Sequence, residues 1–215
     1  VASGLGSGAA ISTALARALF QYFEYETTLE EINTVVYDIE RMHHGTPSGI
    51  DNTVIVYESP VYFVRDTPVK VMEADISLHL IIANTGQTAL TKESVGDVRK
   101  LFESEPDTIK PLLTKIGQVT EDIYEALQQG NIELTGKLMT ENHALLCDLT
   151  VSSSQLDKLV KSAIDAGAMG AKLSGGGRGG NMIALVNDKT ALAVRQALLS
   201  AGATQIFETY TGERA

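Results

Sequence analysis

Cysteine is almost missing from this chain: Cys147 is the only one in 215 residues. No internal disulfide can form, and a reducing, cytoplasmic compartment is the natural expectation. Cys147 lies in the apolar run Ala144-Leu145-Leu146-Cys147, which reads as a core thiol rather than a nucleophile. Tryptophan is absent and aromatics make up only 6% of residues, which suits tightly packed α/β or α+β layers rich in Gly and Ala. No apolar run approaches the ~18 residues needed to span a membrane, and no signal-peptide pattern is visible. Basic residues are few, 17 against 27 acidic ones, for a formal charge of −10. That balance argues against nucleic acid or an anionic membrane surface as a bulk partner. A polyphosphate ligand would then depend on backbone N–H groups, a metal ion and a few local cations. Apolar content is not lacking: at 44% it supports one large domain or two modest ones.

The apolar spacing predicts a helix from Ala9 to about Glu24, with Ile11, Leu15, Ala18, Leu19 and Phe23 on one side. A second helix is expected from Thr28 to about Met42, opened by a capping box of Thr28 and Glu31 and striped by Ile32, Val35, Val36 and Ile39. Short strands are expected around Val54–Tyr57, Val61–Arg65 and Val69–Met72, with a domain boundary at Asp66-Thr67-Pro68. A buried strand at Leu78–Ala83 precedes helices near Thr91–Ser104, Asp107–Gln129, Ile132–Leu149 and Ser154–Ala166. The last of these carries the stripe Leu156, Leu159, Val160, Ala163 and Ile164, closed by Gly167. Strands at Ala171–Leu173 and Met182–Val186, a helix near Lys189–Ala201 and a strand near Gln205–Tyr210 complete an α+β sandwich with helices on one face.

Three segments carry chemistry. Gly4-Leu5-Gly6-Ser7-Gly8-Ala9-Ala10 places small residues where backbone must pass close to a ligand, and the helix behind it offers N–H donors to an anion. A tightly packed Gly/Ala helix entry is the plain alternative. The spacing is neither the Walker pattern nor the dinucleotide fingerprint. Ser7 suits either a Mg²⁺ ligand or a helix N-cap, and Glu40 either a second hard-oxygen ligand or a solvated helix end. His44-Gly45-Thr46-Pro47-Ser48-Gly49-Ile50-Asp51-Asn52 sets Asp51 after a bent loop, as a general base requires, although Asp is also common in turns. His43 and His44 lack further ligands at metal-binding spacing. Lys172 to Gly180 packs five glycines into six positions between apolar strands, with Lys172 and Arg178 adding local positive charge. A flexible linker fits poorly there.

Together these segments resemble the GHMP kinase superfamily, and within it the mevalonate kinases. Gly4 to Ala10 is similar to the family's Gly-Leu-Gly-Ser-Ser-Ala loop. His44 to Asn52 resembles its His-Gly-x-Pro-Ser-Gly-x-Asp-Asn segment, and Lys172 to Gly180 its late Lys-Leu-(Thr/Ser)-Gly-Ala-Gly-Gly-Gly-Gly loop. The resemblance implies a GHMP kinase fold of the α+β class. Residues 1–68 would form the C-terminal part of an N-terminal, ribosomal protein S5-like, ATP-binding domain, and residues 69–215 a ferredoxin-like C-terminal domain, with ATP and substrate in the cleft between them. It implies a kinase moving the γ-phosphate of ATP to the 5-hydroxyl of mevalonate. Asp51 would be the base, and Glu40 with Ser7 the Mg²⁺ ligands. Gly4, Leu5, Gly6, Ser7, Gly8 and Ala9 would hold the nucleotide phosphates, and His44, Ser48, Gly175, Gly176 and Gly177 would line the substrate and phosphate side. A homodimer stays open.

Two departures from the family pattern matter. Ser7-Gly8 stands where paired serines are frequent, so either Ser7 substitutes as ligand or the metal keeps an extra water. Arg178 stands where Gly is usual, and either reaches phosphate or points outward. Val1 opens straight onto the first loop with no strand or family Lys motif ahead of it, so an upstream segment is expected. The 215 residues alone are then expected to bind nucleotide poorly. Another GHMP small-molecule kinase and a non-catalytic kinase-like module are the competing readings; a related decarboxylase fits less well, because those enzymes lack the Glu and His-Gly-x-Pro-Ser-Gly features.

Overall fold

The structure is a computed structural model and describes residues 6–44, 47–65, 67–72, 77–89 and 91–211. The chain divides into two compact units, Val1–Glu73 and Ala74–Ala215.

The first unit packs three helices, α1 (Ser7–Tyr22), α2 (Leu29–His44) and α3 (Ile50–Tyr57), beside a short hairpin of β1 (Val61–Tyr62) and β2 (Lys70–Val71). Its core is Ala9, Ala16, Ile32, Val36 and Val56, with Phe20, Ile55 and Tyr57 against it. The capping box forms as expected: Thr28 Oγ1 accepts from the Glu31 N–H at 3.2 Å, and Glu31 Oε2 accepts from the Thr28 N–H at 2.9 Å. That backbone donor holds the Glu31 carboxyl below its ordinary range.

Two expectations for this unit are corrected. Thr53-Val54-Ile55-Val56-Tyr57 is helix rather than strand. Gly49, at φ 89°, and the Ser48 hydroxyl, which accepts from the Ile50 N–H at 3.2 Å, start the helix. Its buried positions Asn52, Thr53 and Val56 follow a helical period, so packing on α1 and α2 overrides the β preference of the branched residues. Next, α1 does not bury the predicted stripe. It turns the small residues Ala9, Thr13 and Ala16 inward, because only short side chains let it lie close to its neighbours. Ile11, Leu15, Leu19 and Phe23 face outward, Ile11 being 72% exposed. The break at residues 66–68 joins β1 to β2, whose register pairs Val61 with Val71 and Tyr62 with Lys70. The two strands flank the expected boundary at Asp66-Thr67-Pro68, which stays a proposal beside the compact units Val1–Glu73 and Ala74–Ala215.

The second unit is built on a four-stranded antiparallel sheet in the order β4-β5-β3-β6. Its strands are β3 (His79–Asn84), β4 (Gly170–Ser174), β5 (Asn181–Val186) and β6 (Gln205–Tyr210). The unit's helices are α4 (Thr91–Ser104), α5 (Pro106–Gln128), α6 (Ile132–Asp148), α7 (Ser154–Asp165) and α8 (Ala191–Ala201), of which α6, α7 and α8 pack on the sheet. Register aligns Ala171, Ala184 and Ile81 across one face, and Leu173, Met182 and Ala83 in the next row. These side chains meet Leu156, Leu159, Val160 and Ala163 of α7 and Val194 and Leu198 of α8 in one core. Each such large aliphatic side chain contributes about 1.5–3 kcal/mol on burial. Ser153 caps α7 by accepting from the Leu156 N–H, and Gly167 at φ 98° follows its end.

β4 is an edge strand, and α6 seals it. Thr140 Oγ1 accepts from the Ala171 N–H at 3.2 Å, and His143 Nδ1 accepts from the Leu173 N–H at 3.3 Å. Unpaired edge donors are thereby satisfied. The approach is close enough that a Cβ on Gly170 would lie 1.9 Å from the Gly136 carbonyl oxygen.

Candidate active site

In the first unit, the N-terminus of α1 is the organising element. Gly6 adopts the left-handed conformation (φ 68°, ψ 28°), and no side chain caps the helix start, so its first amides remain available to an anion. A Cβ on Gly6 would lie 3.6 Å from Asp51 Cβ and 3.8 Å from Asp51 Cγ. A Cβ on Gly8 would lie 3.0 Å from Glu40 Oε1. Two carboxylates, from α3 and α2, therefore bracket the first turn of α1. Asp51 is exposed in the first turn of α3, whereas Glu40 is buried at 8% exposure one turn before the end of α2.

Several other expected residues occupy this unit. Ser7 is exposed at the first position of α1, and Ala9 is buried, so Ala9 can offer only backbone. Ser48 is exposed and engaged in capping α3. Gly4 and Leu5 lie outside the described residues. His44 ends α2, and its side chain is likewise outside them. The Glu40 carboxylate, buried and reaching the turn at Gly8, is an oxygen donor of the kind that fits Mg²⁺.

What holds Asp51 in place was not legible as a motif. Asn52, on the next residue, is buried and donates through Nδ2 to Asn33 Oδ1 at 2.6 Å. Asn33 Nδ2 in turn donates to Thr53 Oγ1 at 3.3 Å, and Thr53 donates to the Gly49 carbonyl at 2.6 Å. This buried chain pins α3 to α2. Arg17 of α1 donates to the Val56 carbonyl at 2.8 Å and pairs with Glu58, closing the far end of α3. The Asn-Thr dipeptide after Asp51 was the only local signal, and its partner at residue 33 is distant in sequence.

In the second unit, the late glycine loop follows β4. Gly175, Gly177, Arg178 and Gly180 all have φ between 57° and 85°. Gly175 is exposed with open space where a Cβ would go. Its neighbours are packed against protein instead: a Cβ on Gly176 would meet Thr91 Oγ1 at 2.5 Å, and one on Gly177 the Val151 carbonyl oxygen at 1.9 Å. Glycine is thus demanded at 177 by the backbone of Val151 and at 176 by the Thr91 side chain, while Gly175 is the one left facing outward. The two expected cations do not flank the loop as free charges. Lys172 is largely enclosed on β4, and burial pushes its ammonium down to about 8. Arg178 is turned to Asp97 on α4 at 2.6 Å.

Cys147 is half-buried rather than sealed in the core. Its thiol donates to Asp157 Oδ1 at 3.4 Å, and burial raises its pKa, so it is a poor nucleophile. His143, Cys147 and Asp157 bring ligand atoms within 4.8 Å of one another. His143 Nδ1 accepts the Leu173 N–H, however, so Nε2 carries the proton and donates toward Asp157 at 3.4 Å. With that nitrogen a donor, the trio is a hydrogen-bonded knot and not a metal centre.

Family models match both parts of the chain: the GHMP kinases N terminal domain over residues 1–59 and the GHMP kinases C terminal domain over residues 123–204. The chain belongs to the GHMP kinases. Among curated relatives of this GHMP kinase chain, the mevalonate kinase of Thermococcus gammatolerans is 36% identical over 97% of the chain and 63% of its own length. That of Pyrococcus horikoshii is 36% identical over 86% of the chain and 56% of its own length. The chain therefore spans less than two thirds of the curated relatives it matches. Among solved structures, L. major mevalonate kinase in complex with R-mevalonate superimposes with a TM-score of 0.90 at 32% identity, covering 98% of this chain and 66% of that one. Methanococcus jannaschii mevalonate kinase gives 0.83 at 27% identity, covering 100% and 66%. The GHMP kinase fold expected from the motifs is thus the fold observed. Among the described residues, no helix is long and apolar enough to cross a membrane.

Proposed function

We propose that this chain carries the chemistry of a cytoplasmic mevalonate kinase, moving the γ-phosphate of ATP to the 5-hydroxyl of mevalonate in isoprenoid precursor synthesis. Residues 1–68 are read as the C-terminal part of the family's ATP-binding N-terminal domain and residues 69–215 as its C-terminal domain, close to the division into compact units after Glu73. The observation that carries the proposal is the turn at Gly6–Gly8, with Asp51 against its first glycine and Glu40 against its last. Identity of 36% to relatives named mevalonate kinase supports the choice of substrate.

Phosphoryl transfer depends on positioning and charge neutralisation more than on covalent chemistry. The amides at the start of α1 orient the nucleotide phosphates. Asp51 accepts the proton as the substrate oxygen bonds to phosphorus and the bond to ADP breaks. Glu40, with Ser7 or water completing the set, would hold Mg²⁺, which neutralises phosphate charge. Of the late loop, Gly175 is the residue free to offer backbone to a ligand, with Gly176 and Gly177 shaping the loop from its packed side; His44 and Ser48 keep the substrate-side role that the family resemblance implies.

The test uses a full-length version of the protein, assayed with mevalonate beside phosphomevalonate, galactose and homoserine. Asp51→Ala is expected to lower turnover by about 10²–10⁴-fold or more while Mg·ATP binding by calorimetry is largely kept. Turnover close to wild type would remove Asp51 as base, and preference for another acceptor would replace the substrate. A full-length protein that binds no Mg·ATP would favour a non-catalytic module. Size-exclusion chromatography of the same material separates a monomer from a homodimer.

A further inference from the structure

We propose that Arg178 and Asp97 are positioning residues that clamp the late glycine loop, rather than groups that meet a ligand. Residues 175–180 contain five glycines and a single side chain, that of Arg178. Arg178 sits at φ 57°, in the left-handed region that an L residue adopts only under steric strain. Glycine would occupy the position without that cost, so the side chain must supply something in return.

Its contacts say what. Nη1 donates to Asp97 Oδ2 on α4 at 2.6 Å, and Nε donates to the Thr150 carbonyl in the α6–α7 connection at 3.3 Å. The Arg178 backbone N–H donates to the Val151 carbonyl at 2.9 Å. Gly176 and Gly177 press on the same two elements, at Thr91 and Val151. Asp97 also pairs with Lys100 at 3.1 Å, and the Arg178 hydrogen bond, followed by Lys100, keeps its carboxyl below the ordinary range.

Five glycines in six positions are costly to order, and ordering them at the moment of ligand binding weakens affinity. The clamp settles that cost in the folded chain. The exposed amide at Gly175 is then presented in a fixed direction, while the guanidinium stays on the loop's protein side. The consequence for catalysis rests on the kinase reading above; the consequence for loop order does not.

Two measurements test it. Hydrogen exchange on the 215-residue chain reads loop order without any substrate. Asp97→Asn and Arg178→Met are each expected to speed exchange of the 175–180 amides by about 5–10-fold, the size of one charge-assisted contact at a partly exposed site, with Arg178→Lys intermediate. Unchanged exchange in Asp97→Asn overturns the clamp. In full-length enzyme, both variants are expected to raise KM by about the same factor with kcat nearly constant, and the double variant to be no worse than the worse single one. If Asp97→Asn matches wild type while Arg178→Met raises KM, Arg178 meets the anionic ligand directly and the proposal fails. If wild type itself does not phosphorylate mevalonate, the kinase reading falls and the exchange result still decides the clamp.

Discussion

Replacing Lys172 by methionine should stabilise the second unit at neutral pH, and the gain should vanish in alkali. Lys172 lies on β4 opposite Ile183 of β5, and no ion pair of its ammonium is found among the described residues. Burial alone lowers its pKa from the ordinary 10.5 to about 8. The folded chain therefore gives up this proton more readily than the unfolded chain. Below about pH 8 the group is charged in both states, and the whole penalty for enclosing the charge is felt. Between about 8 and 10.5 the unfolded chain holds a proton that the folded one has lost, so stability rises with pH. Above 10.5 both are neutral and the penalty is gone. A displacement of about 2.5 from the ordinary value, at 1.36 kcal/mol each, amounts to about 3 kcal/mol, and about 2 kcal/mol once the solvent that still reaches the side chain is allowed for. Methionine keeps most of the apolar stem, so packing changes little. The assay is urea denaturation of wild type and Lys172→Met at pH 7, 9 and 10.5, taking the difference at each pH so that other titrating groups cancel. The variant should be more stable by about 2 kcal/mol at pH 7 and equal to wild type at pH 10.5. A difference that stays constant across this range would refute the argument, because packing does not depend on pH.

Gly170→Ala places a methyl group 1.9 Å from the Gly136 carbonyl oxygen, so α6 must lift off the edge of β4. A loss of about 3 kcal/mol or more is expected, read as a lowered thermal midpoint; an unchanged midpoint would mean that the two backbones are not in contact. Asn33→Ala orphans the buried amide of Asn52 and should cost about 1–3 kcal/mol, and Asn52→Ala, which leaves the half-buried Asn33 its bond to Thr53, about 1 kcal/mol. The double variant should fall short of their sum, and strict additivity would show that they do not share one network.

Most elements were legible because their signals are local. The stripe of α7 needs only residues 156–163 and the Ser153 cap, and the capping box of α2 needs only residues 28–31. Asp51 and Glu40 could be singled out because each belongs to a short segment whose residue types state a task. The reading of residues 53–57 as strand failed because branched side chains favour extended backbone only when nothing else decides, and here Gly49, Ser48 and a buried Asn-Thr pair decide. The outward face of α1 was misjudged because periodicity marks an apolar stripe without saying which neighbour arrives, or how close.

The order of residues alone determined where backbone could bend, which helices had caps and apolar faces, and which carboxylates were candidates for chemistry. Folding in three dimensions decided what those groups touch. Arg178 meets Asp97 across a sequence separation of 81, Asn52 meets Asn33 across one of 19, and Gly8 meets Glu40 from another helix. Such contacts are selected by packing, since a side chain pairs with whatever the tertiary arrangement brings within about 3 Å, and no local pattern encodes that partner.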